Sequence, residues 1–277
     1  MIPAEPDLRG IEVDLLLEGV FRRYGYDFRN YARPSLHRRI TRALERESLV
    51  RVTQLLDLVL SDPTAMLRFV ESISVHTTSM FRDPEVYAAL RTKVVPLLRT
   101  YPFVRIWVAG CSSGEEVYSL AIVLHEEGLL ERVRIYATDI SDAILERARQ
   151  GILPLQHMRD HTHAYLQAGG KEDFSQYYLT DASHAILRAH LRRNMVFSQH
   201  NLASDQTFNE FQLILCRNVN IYFAEALQRR VFALVHDSLA SFGVLVLGRK
   251  ESLRGSQHAA EYEEMVPSLR IYRKRGK

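Results

Sequence analysis

The chain has little of what marks secreted, disulfide-stapled or membrane-embedded proteins. Its 277 residues include only two cysteines, Cys111 and Cys216, too few for a disulfide framework, which favours a reducing compartment. No apolar run approaches the ~18 residues that a membrane-spanning helix needs. The N-terminal residues have neither the basic nor the apolar region of a signal peptide. These absences predict a cytoplasmic protein with no direct membrane insertion.

Strong charge and the common catalytic motifs are also missing. A formal net charge of +3 at pH 7 is too mild for a general nucleic-acid binder. No Walker or H-E-x-x-H pattern occurs. The cysteines end apolar runs with no visible base beside them, which indicates buried packing rather than catalysis. His157, His161 and His163 match no zinc-site spacing, so no metal is expected.

The most informative stretch that is present runs from residue 104 to 128. Residues 106–109 form a short apolar run, which is typical of a strand buried on both faces. Residues 110–114, G-C-S-S-G, predict a tight turn. A helical apolar stripe then follows and stops near Gly128: Val117, Leu120, Ala121 and Leu124. A buried strand, a glycine turn and a helix start together indicate a site for a nucleotide-like ligand.

The residues around this turn narrow the class of ligand. Glu115 and Glu116 at the helix start disfavour a phosphate, and A-G-C-S-S-G is not the pyrophosphate-binding G-x-G-x-x-G pattern. A cationic nucleoside without phosphates suits them better, and S-adenosylmethionine is the commonest such cosubstrate. Asp139 follows the second predicted strand, where an acidic residue either bonds ribose hydroxyls or simply caps the next helix.

The pattern along the chain predicts two domains of an α/β protein. Helices expected at about 11–24, from Pro34, at about 52–60 and from 62–63 form a small helical domain over residues 1–75. Residues 76–100 are expected to be a linker and a helix that starts at Asp83-Pro84 and is disturbed at Pro96. Residues 101–277 alternate strand and helix, which predicts a doubly wound, mostly parallel sheet.

The remaining strands are expected at about 133–138, 195–198, 211–216, 244–247 and 268–272. A strong helical stripe before the fifth strand is expected to end at Gly243. Between Gly151 and Arg193 the alternation breaks down, and short extended pieces predict an inserted β-subdomain at about 171–195.

Two further groups of polar residues stand out. On the second helix, Leu36, Ile40, Ala43 and Leu44 share one face. Four arginines gather on another face, which is either an ordinary solvated surface or a docking surface for an acidic partner: Arg38, Arg39, Arg42 and Arg46. The fourth strand leads into C-R-N-V-N-I-Y-F, which delivers Arg217, Asn218 and Tyr222 to the carboxyl edge of the sheet, where ligands bind. Asn218 as a cap is the alternative.

Five strings in this order resemble those of the CheR family of chemoreceptor glutamate methyltransferases. They are T-T-S-M-F-R-D-P, A-G-C-S-S-G-E-E-V-Y-S-L-A-I, A-T-D-I-S-D-A-I-L-E-R-A-R-Q-G, H-N-L and C-R-N-V-N-I-Y-F. Each alone is weak, but the ordered set is specific and covers nearly the whole chain.

The resemblance implies a cytoplasmic, monomeric S-adenosylmethionine-dependent enzyme. It would esterify glutamate side chains in the cytoplasmic helical domain of methyl-accepting receptors and release S-adenosylhomocysteine. Arg82 and Tyr222 would be catalytic, and the arginine face would meet the receptor. Asp139 would bond the ribose and Asn201 with Leu202 would flank the adenine. The remaining cofactor-site residues would be Thr78, Arg82, Gly110, Ser112, Ser113, Gly114, Glu116 (or Glu115), Arg217 and Asn218.

This chain departs from the family pattern at two places. The usual G-H-S-E after the fifth strand is Gly248-Arg249-Lys250-Glu251, and Met80 replaces an aromatic residue. Other functions remain open alternatives: a non-catalytic module that senses S-adenosylmethionine or its product, a methyltransferase of a receptor pathway outside chemotaxis, and transfer to small molecules or nucleic acid.

Overall fold

A computed structural model describes residues 7–73 and 78–276. Within these residues the chain forms two compact units. The first contains the N-terminal helices together with Asn201–Asp205 and Tyr222–Val231, and the second contains the other residues from 78 onward. The expected boundary at residues 75 and 76 lies outside the described residues.

The N-terminal unit is built on four helices that bury their apolar stripes against one another. The sequence pattern predicted all four helices: α1 (Leu8–Tyr24), α2 (Arg33–Arg46), α3 (Val52–Ser61) and α4 (Pro63–Ile73). Helix α1 ends at Gly25, whose φ of 78° lets its N–H reach the Phe21 carbonyl. Fully buried side chains of this core include Leu16, Val20, Phe28, Leu36 and Ile40.

The helix before the sheet is interrupted but not ended by proline. It runs as α5 (Pro84–Ala89), a π-helical turn (Leu90–Val94) and α6 (Val95–Leu98). Pro96 has no N–H to donate to a carbonyl one turn back, and the wider turn just before it accommodates that loss. The predicted disturbance at Pro96 is therefore present as a change of helix type.

The second unit then alternates strands and helices, as predicted, around a large sheet. Its further elements in chain order are β1 (Val104–Ala109), α7 (Glu115–Glu126), β2 (Val133–Asp139), α8 (Asp142–Gln150), β3 (Ile152–Pro154), α9 (Met158–Gln167), β4 (Tyr178–Thr180), β5 (His184–Leu187), α10 (Ala189–Arg192), β6 (Met195–Gln199), β7 (Phe211–Cys216), α11 (Glu225–Ser238, whose first half belongs to the other unit), β8 (Leu239–Leu247), β9 (Tyr262–Val266) and β10 (Ile271–Lys274).

Seven strands form the large sheet in the order β6-β2-β1-β7-β8-β10-β9. The first five are parallel, and β10 pairs antiparallel with both β8 and β9. This is the predicted mostly parallel α/β fold. Strand β1 lies in the middle, and its residues Ile106, Trp107 and Val108 are 0% exposed, as expected of a strand covered on both faces. The carboxyl ends of β2, β1 and β7 therefore meet at one edge.

Two predictions near the end of the chain are wrong. Helix α11 ends at Ser238, and Gly243 lies inside β8 rather than at a helix end. Phe242 has a φ of +63° there, and the β7–β8 register jumps between Phe211 and Leu213, so this segment bulges. The last strand begins at Ile271 instead of 268, and β9 was not predicted.

The insertion is a three-stranded antiparallel sheet in the order β3-β5-β4. Two of its strands lie within the expected range 171–195, whereas β3 lies upstream of it and Met195 already belongs to the large sheet. Strand β3 has three residues, too few to show an alternating pattern. The Tyr165 and Tyr177 hydroxyls both donate to Glu126 of α7, that of Tyr177 at 2.8 Å. These hydrogen bonds connect the residues around the small sheet to a helix that packs on the large sheet.

No helix among residues 7–73 and 78–276 is both long enough and apolar enough to cross a membrane. This finding is in line with the apolar runs in the sequence.

The buried ion pair between Arg91, in the π-helical turn, and Glu126, in α7, should contribute to stability. The Arg91 side chain is 7% exposed and bonds Glu126 and the Ala168 carbonyl. We expect Arg91→Ala to lower the free energy of unfolding by about 3–5 kcal/mol, because Glu126 keeps a buried charge without its main partner. Urea unfolding measures it. Arg99 also pairs with Glu127, at 3.3 Å, but is 51% exposed, so Arg99→Ala should cost about 0–1 kcal/mol. Equal losses would contradict the expectation.

Candidate active site

The glycine turn between β1 and α7 is held in left-handed backbone geometry. Gly110, Ser112 and Gly114 have φ values of +70°, +51° and +95°. A Cβ at Gly110 would lie 2.6 Å from a Val219 methyl carbon, so this position needs glycine for space as well as for backbone conformation. The turn therefore brings the main chain, rather than bulky side chains, to the carboxyl end of β1.

Asp139, the last residue of β2, fastens this turn to the neighbouring strand. Its Oδ2 accepts from the Ser112 N–H at 2.9 Å and its Oδ1 from the Ser141 N–H at 3.2 Å. The residue capping α8 is Ser141, whose Oγ accepts from the Ile144 N–H. Asp139 is thus not the helix cap of the alternative interpretation. Asp139 is 8% exposed, so this link between β2 and the turn is buried.

Glu115 and Glu116, adjacent at the start of α7, have different surroundings. The Ser113 hydroxyl donates to both Glu115 carboxylate oxygens, at 2.7 and 3.0 Å. Burial raises the pKa of Glu115, and the Ser113 hydrogen bond opposes the rise. Glu116 instead accepts from Arg217 Nη1 at 2.5 Å. Between the two glutamates that the sequence left open, Glu116 is the one that joins the charged cluster at the strand ends.

Arg217, the first residue after β7, is the centre of that cluster. Its side chain is 1% exposed. Nη2 donates to Asp83 Oδ2 at 2.7 Å and to the Arg82 carbonyl at 3.1 Å, while Nη1 reaches Glu116. Burial opposes the charge, but Glu116 and Asp83 raise the pKa of Arg217 above its usual range. The arginine is a permanent cation that joins the Arg82 loop, α7 and β7.

Glu251 organises the loop that follows Arg217. Its carboxylate accepts from the N–H groups of Asn218, Val219 and Asn220 at 2.7–2.9 Å, and from Gly248 at 2.6 Å. Burial raises the pKa of Glu251, and the four N–H donors oppose that rise. Asn218 has a φ of +60°. The Glu251 carboxylate therefore stabilises a loop whose first residue after Arg217 has left-handed backbone geometry.

Two carboxylates of the site were missed in the sequence. Asp83 was predicted as a helix start, and α5 does begin at Pro84, but its side chain makes no capping bond and pairs with Arg217 instead. Nothing in R-D-P distinguishes the two roles. Glu251 did carry a signal, because it is the glutamate that this chain retains from the family's G-H-S-E string.

Three predicted site residues belong to the N-terminal unit. Tyr222 accepts the Ala32 N–H at its carbonyl, and the Arg39 guanidinium carbon lies 4.5 Å from its ring centroid. The Asn201 side chain accepts from the Ala203 N–H at 3.0 Å, and Leu202 is buried. Within this unit, Tyr222 is held from both its backbone and its ring.

The predicted arginine face of α2 needs one correction. Arg39 is only 4% exposed. Its guanidinium donates to the Ile73 carbonyl and covers Tyr222, because Arg39 lies three residues after Leu36 and four before Ala43, on the buried face of α2. Arg38, Arg42 and Arg46 are exposed. Arg39 therefore does not belong to a solvent-facing docking surface, although the helical wheel placed it there.

The remaining predicted residues have simpler positions. Thr78 is half-buried in the loop ahead of α5. Burial raises the pKa of the Cys111 and Cys216 thiols well above the usual value. A thiol with a raised pKa is a poor nucleophile, in agreement with the packing role predicted for both cysteines.

Comparisons with known proteins agree with this fold. The family description "CheR methyltransferase, SAM binding domain" matches residues 76–268, and "CheR methyltransferase, all-alpha domain" matches residues 11–74. The Pseudomonas putida protein Cher3, to which methyltransferase activity is assigned only provisionally, is 48% identical over 264 residues, covering 95% of this chain and 97% of its own.

Chemotaxis protein methyltransferases are also among the relatives. The Listeria monocytogenes protein is 29% identical and covers 84% of this chain and 87% of its own. The Vibrio parahaemolyticus protein is 30% identical and covers 74% of each.

The matched SAM-binding domain places the chain in the class of S-adenosylmethionine-dependent methyltransferases. Within that class, the chain belongs to the CheR methyltransferase family. The resemblance seen in the five sequence strings is confirmed.

The residues around the turn fit S-adenosylmethionine. The Ser112 hydroxyl is buried and has no hydrogen-bond partner among the residues that the structure describes. Three carboxylates adjoin the turn, those of Glu115, Glu116 and Asp139, and Arg217 pairs with one of them, Glu116. An excess of acidic groups favours a ligand that carries a sulfonium and an ammonium group.

Glu115 should make stability depend on pH. Because burial raises its pKa in the folded chain, its stabilising contribution is full below the unfolded-state pKa of about 4.3 and is lost as the pH rises through the folded-state pKa. Relative to Glu115→Gln, the wild type should therefore lose stability as the pH rises from about 4.3 through the raised folded-state pKa. Urea unfolding at several pH values measures this, with the exposed Glu131→Gln as control. A pH-independent difference would refute the assignment.

Proposed function

We propose that this methyltransferase transfers the methyl group of S-adenosylmethionine to glutamate side chains in the cytoplasmic helical domain of a methyl-accepting receptor. The products are glutamate methyl esters and S-adenosylhomocysteine. The observation that carries the proposal is the Arg217 cluster at the carboxyl edge of the sheet. Arg217 binds Asp83 and Glu116, and its Nη2 donates to the Arg82 carbonyl at 3.1 Å, which holds the Arg82 loop beside the strand ends.

A carboxylate acceptor suits the chemistry of these residues. Glutamate has a reference pKa of about 4.3, so it is ionised at neutral pH and needs no general base. When bound, S-adenosylmethionine supplies a methyl group already activated by the sulfonium. The protein then has to align the reacting oxygen and exclude water.

We assign Arg82 to grip one acceptor oxygen, because a planar guanidinium holds a carboxylate in a fixed orientation. Tyr222 positions the attacking oxygen or the methyl group. The turn residues Gly110, Ser112, Ser113 and Gly114, with Glu116, hold the methionine end. The other cofactor contacts that we propose are Thr78, Asp139, Asn201, Leu202, Arg217 and Asn218.

The receptor is proposed from the relatives and from α2. Relatives of this chain are named chemotaxis protein methyltransferases. The exposed side chains of Arg38, Arg42 and Arg46 give α2 a basic surface that would meet acidic residues of a helical receptor. We further propose that the enzyme acts in the cytoplasm as a monomer.

Methyl transfer to purified receptor cytoplasmic fragments from the same genome tests the function. With tritiated S-adenosylmethionine, the expected result is label on the fragment that alkali releases as methanol, because an ester hydrolyses where an N-methyl group does not. Label on a receptor of a surface-sensing or developmental pathway would support the proposed reaction but assign the enzyme to that pathway instead of chemotaxis. Cosubstrate binding without transfer to any receptor would favour the sensing module and refute the proposal.

Arg82 and Asp139 should affect different steps. Arg82→Ala should abolish turnover yet leave S-adenosylmethionine affinity within a few-fold, whereas Asp139→Ala should weaken that affinity by about 1–3 kcal/mol through unpaired buried polar groups. Isothermal titration and the transfer assay separate the two, with the exposed Arg132→Ala and Asp142→Ala as controls. A large loss of cosubstrate binding in Arg82→Ala would overturn its assignment. Unchanged affinity in Asp139→Ala would refute the ribose contact and leave Asp139 with a purely structural role in the turn.

A further inference from the structure

Two histidines and a glutamate meet away from the glycine turn, where the end of α11 contacts the segment before β9. His236 lies in the last turn of α11, while His258 and Glu261 bracket a single 3₁₀ turn. In such a turn, side chains three residues apart eclipse and point the same way. Their potential ligand atoms all lie within 4.8 Å of one another.

We propose that His236, His258 and Glu261 form a binding site for one divalent cation of the zinc class. The Glu261 carboxylate lies 3.4 Å from His236 Nε2 and 2.8 Å from His258 Nδ1. Ligand atoms around a tetrahedral zinc ion are about 3.3 Å apart, given metal–ligand bonds of about 2.0–2.1 Å. The three groups are therefore already close to the spacing that a zinc ion requires.

The neighbours of His236 determine which of its two ring nitrogens is available to a metal ion. Its Nδ1 lies 3.2 Å from the Tyr262 hydroxyl, which leaves Nε2 facing Glu261. A hydrogen bond from the second nitrogen to an outer group is the usual way in which a ligating histidine is oriented. The two imidazole rings are stacked, with centroids 4.0 Å apart and planes 10° from parallel. Because nitrogen lone pairs lie in the ring planes, the partly exposed His258 ring has to rotate out of this stack to bind the same ion as His236.

The metal-binding forms of these side chains are a neutral imidazole and an ionised carboxylate. Lys274 is the opposing charge, and its Nζ donates to the His236 and Leu239 carbonyls at 2.7 and 2.8 Å.

The donor set selects the type of cation. Two imidazoles and one carboxylate favour zinc, cobalt or nickel, whereas magnesium and calcium prefer oxygen ligands alone. Three protein ligands leave further positions for water. A bound ion would link α11 to the start of β9 and stabilise the folded chain by mass action.

Titration of the untagged, EDTA-treated full-length protein with zinc chloride tests the site. We expect one equivalent to bind and the melting temperature to rise, with no such effect from magnesium. His258→Ala and Glu261→Gln alter exposed or partly exposed side chains and should each weaken zinc binding by about 100-fold or more, while Tyr262→Phe should weaken it by about tenfold. Cobalt in place of zinc should give visible absorption bands that His258→Ala abolishes.

The control is His184→Ala, which removes an exposed histidine 3.5 Å from Asp181 at another place in the fold. It should bind zinc as the wild type does. Equal zinc affinity in His258→Ala and the wild type would overturn the proposal, as would zinc binding lost in His161→Ala instead. Absence of zinc binding at micromolar concentration would overturn it as well. These readouts do not depend on methyl transfer.

Discussion

The buried guanidinium of Arg217 is the contact on which the rest of the active site depends. It joins three segments that are far apart in the chain: the loop ending at Asp83, the start of α7 at Glu116 and the end of β7. Burying an ion pair gains little net stability compared with apolar packing, but removing one partner leaves a costly buried charge. The cluster therefore acts mainly as a constraint: the fold is compatible with these charges only when all three segments are in place.

Glu251 extends the same principle to the backbone. A carboxylate that accepts four N–H groups fixes the loop after β7 without any side chain of that loop taking part. These contacts give a structural role to the glutamate that this chain shares with the G-H-S-E string. Arg249, at the histidine position, pairs with Glu85 and lies 4.0 Å from Asp83, so the replacement adds a cation to the connector side of the site.

The sequence predicted the helices and strands whose apolar residues recur at a regular spacing. It missed the features that depend on contacts between residues far apart in the chain. Helices α1 to α4 and the central strands were predictable because their apolar residues recur at helical or buried-strand spacing. Strand β3 was too short to show a period, and Gly243 looked like a helix end because a bulge and a cap favour the same residue. The ion pair of Asp83 with Arg217, and the inward position of Arg39, depend on tertiary contacts. No local pattern records such contacts.

The helical unit is not contiguous in sequence. It includes Asn201–Asp205 and Tyr222–Val231 along with the N-terminal helices. The Ala32 N–H donates to the Tyr222 carbonyl, and Tyr31 forms a bridge with Phe223, while Arg230 Nη2 donates to the Ser204 carbonyl at 2.8 Å. A chimaera that exchanges only the N-terminal helices between relatives would thus separate Arg39 from the tyrosine it covers. An exchange that keeps the unit intact has to carry all three segments together, because they are contiguous in the folded unit but not in the sequence.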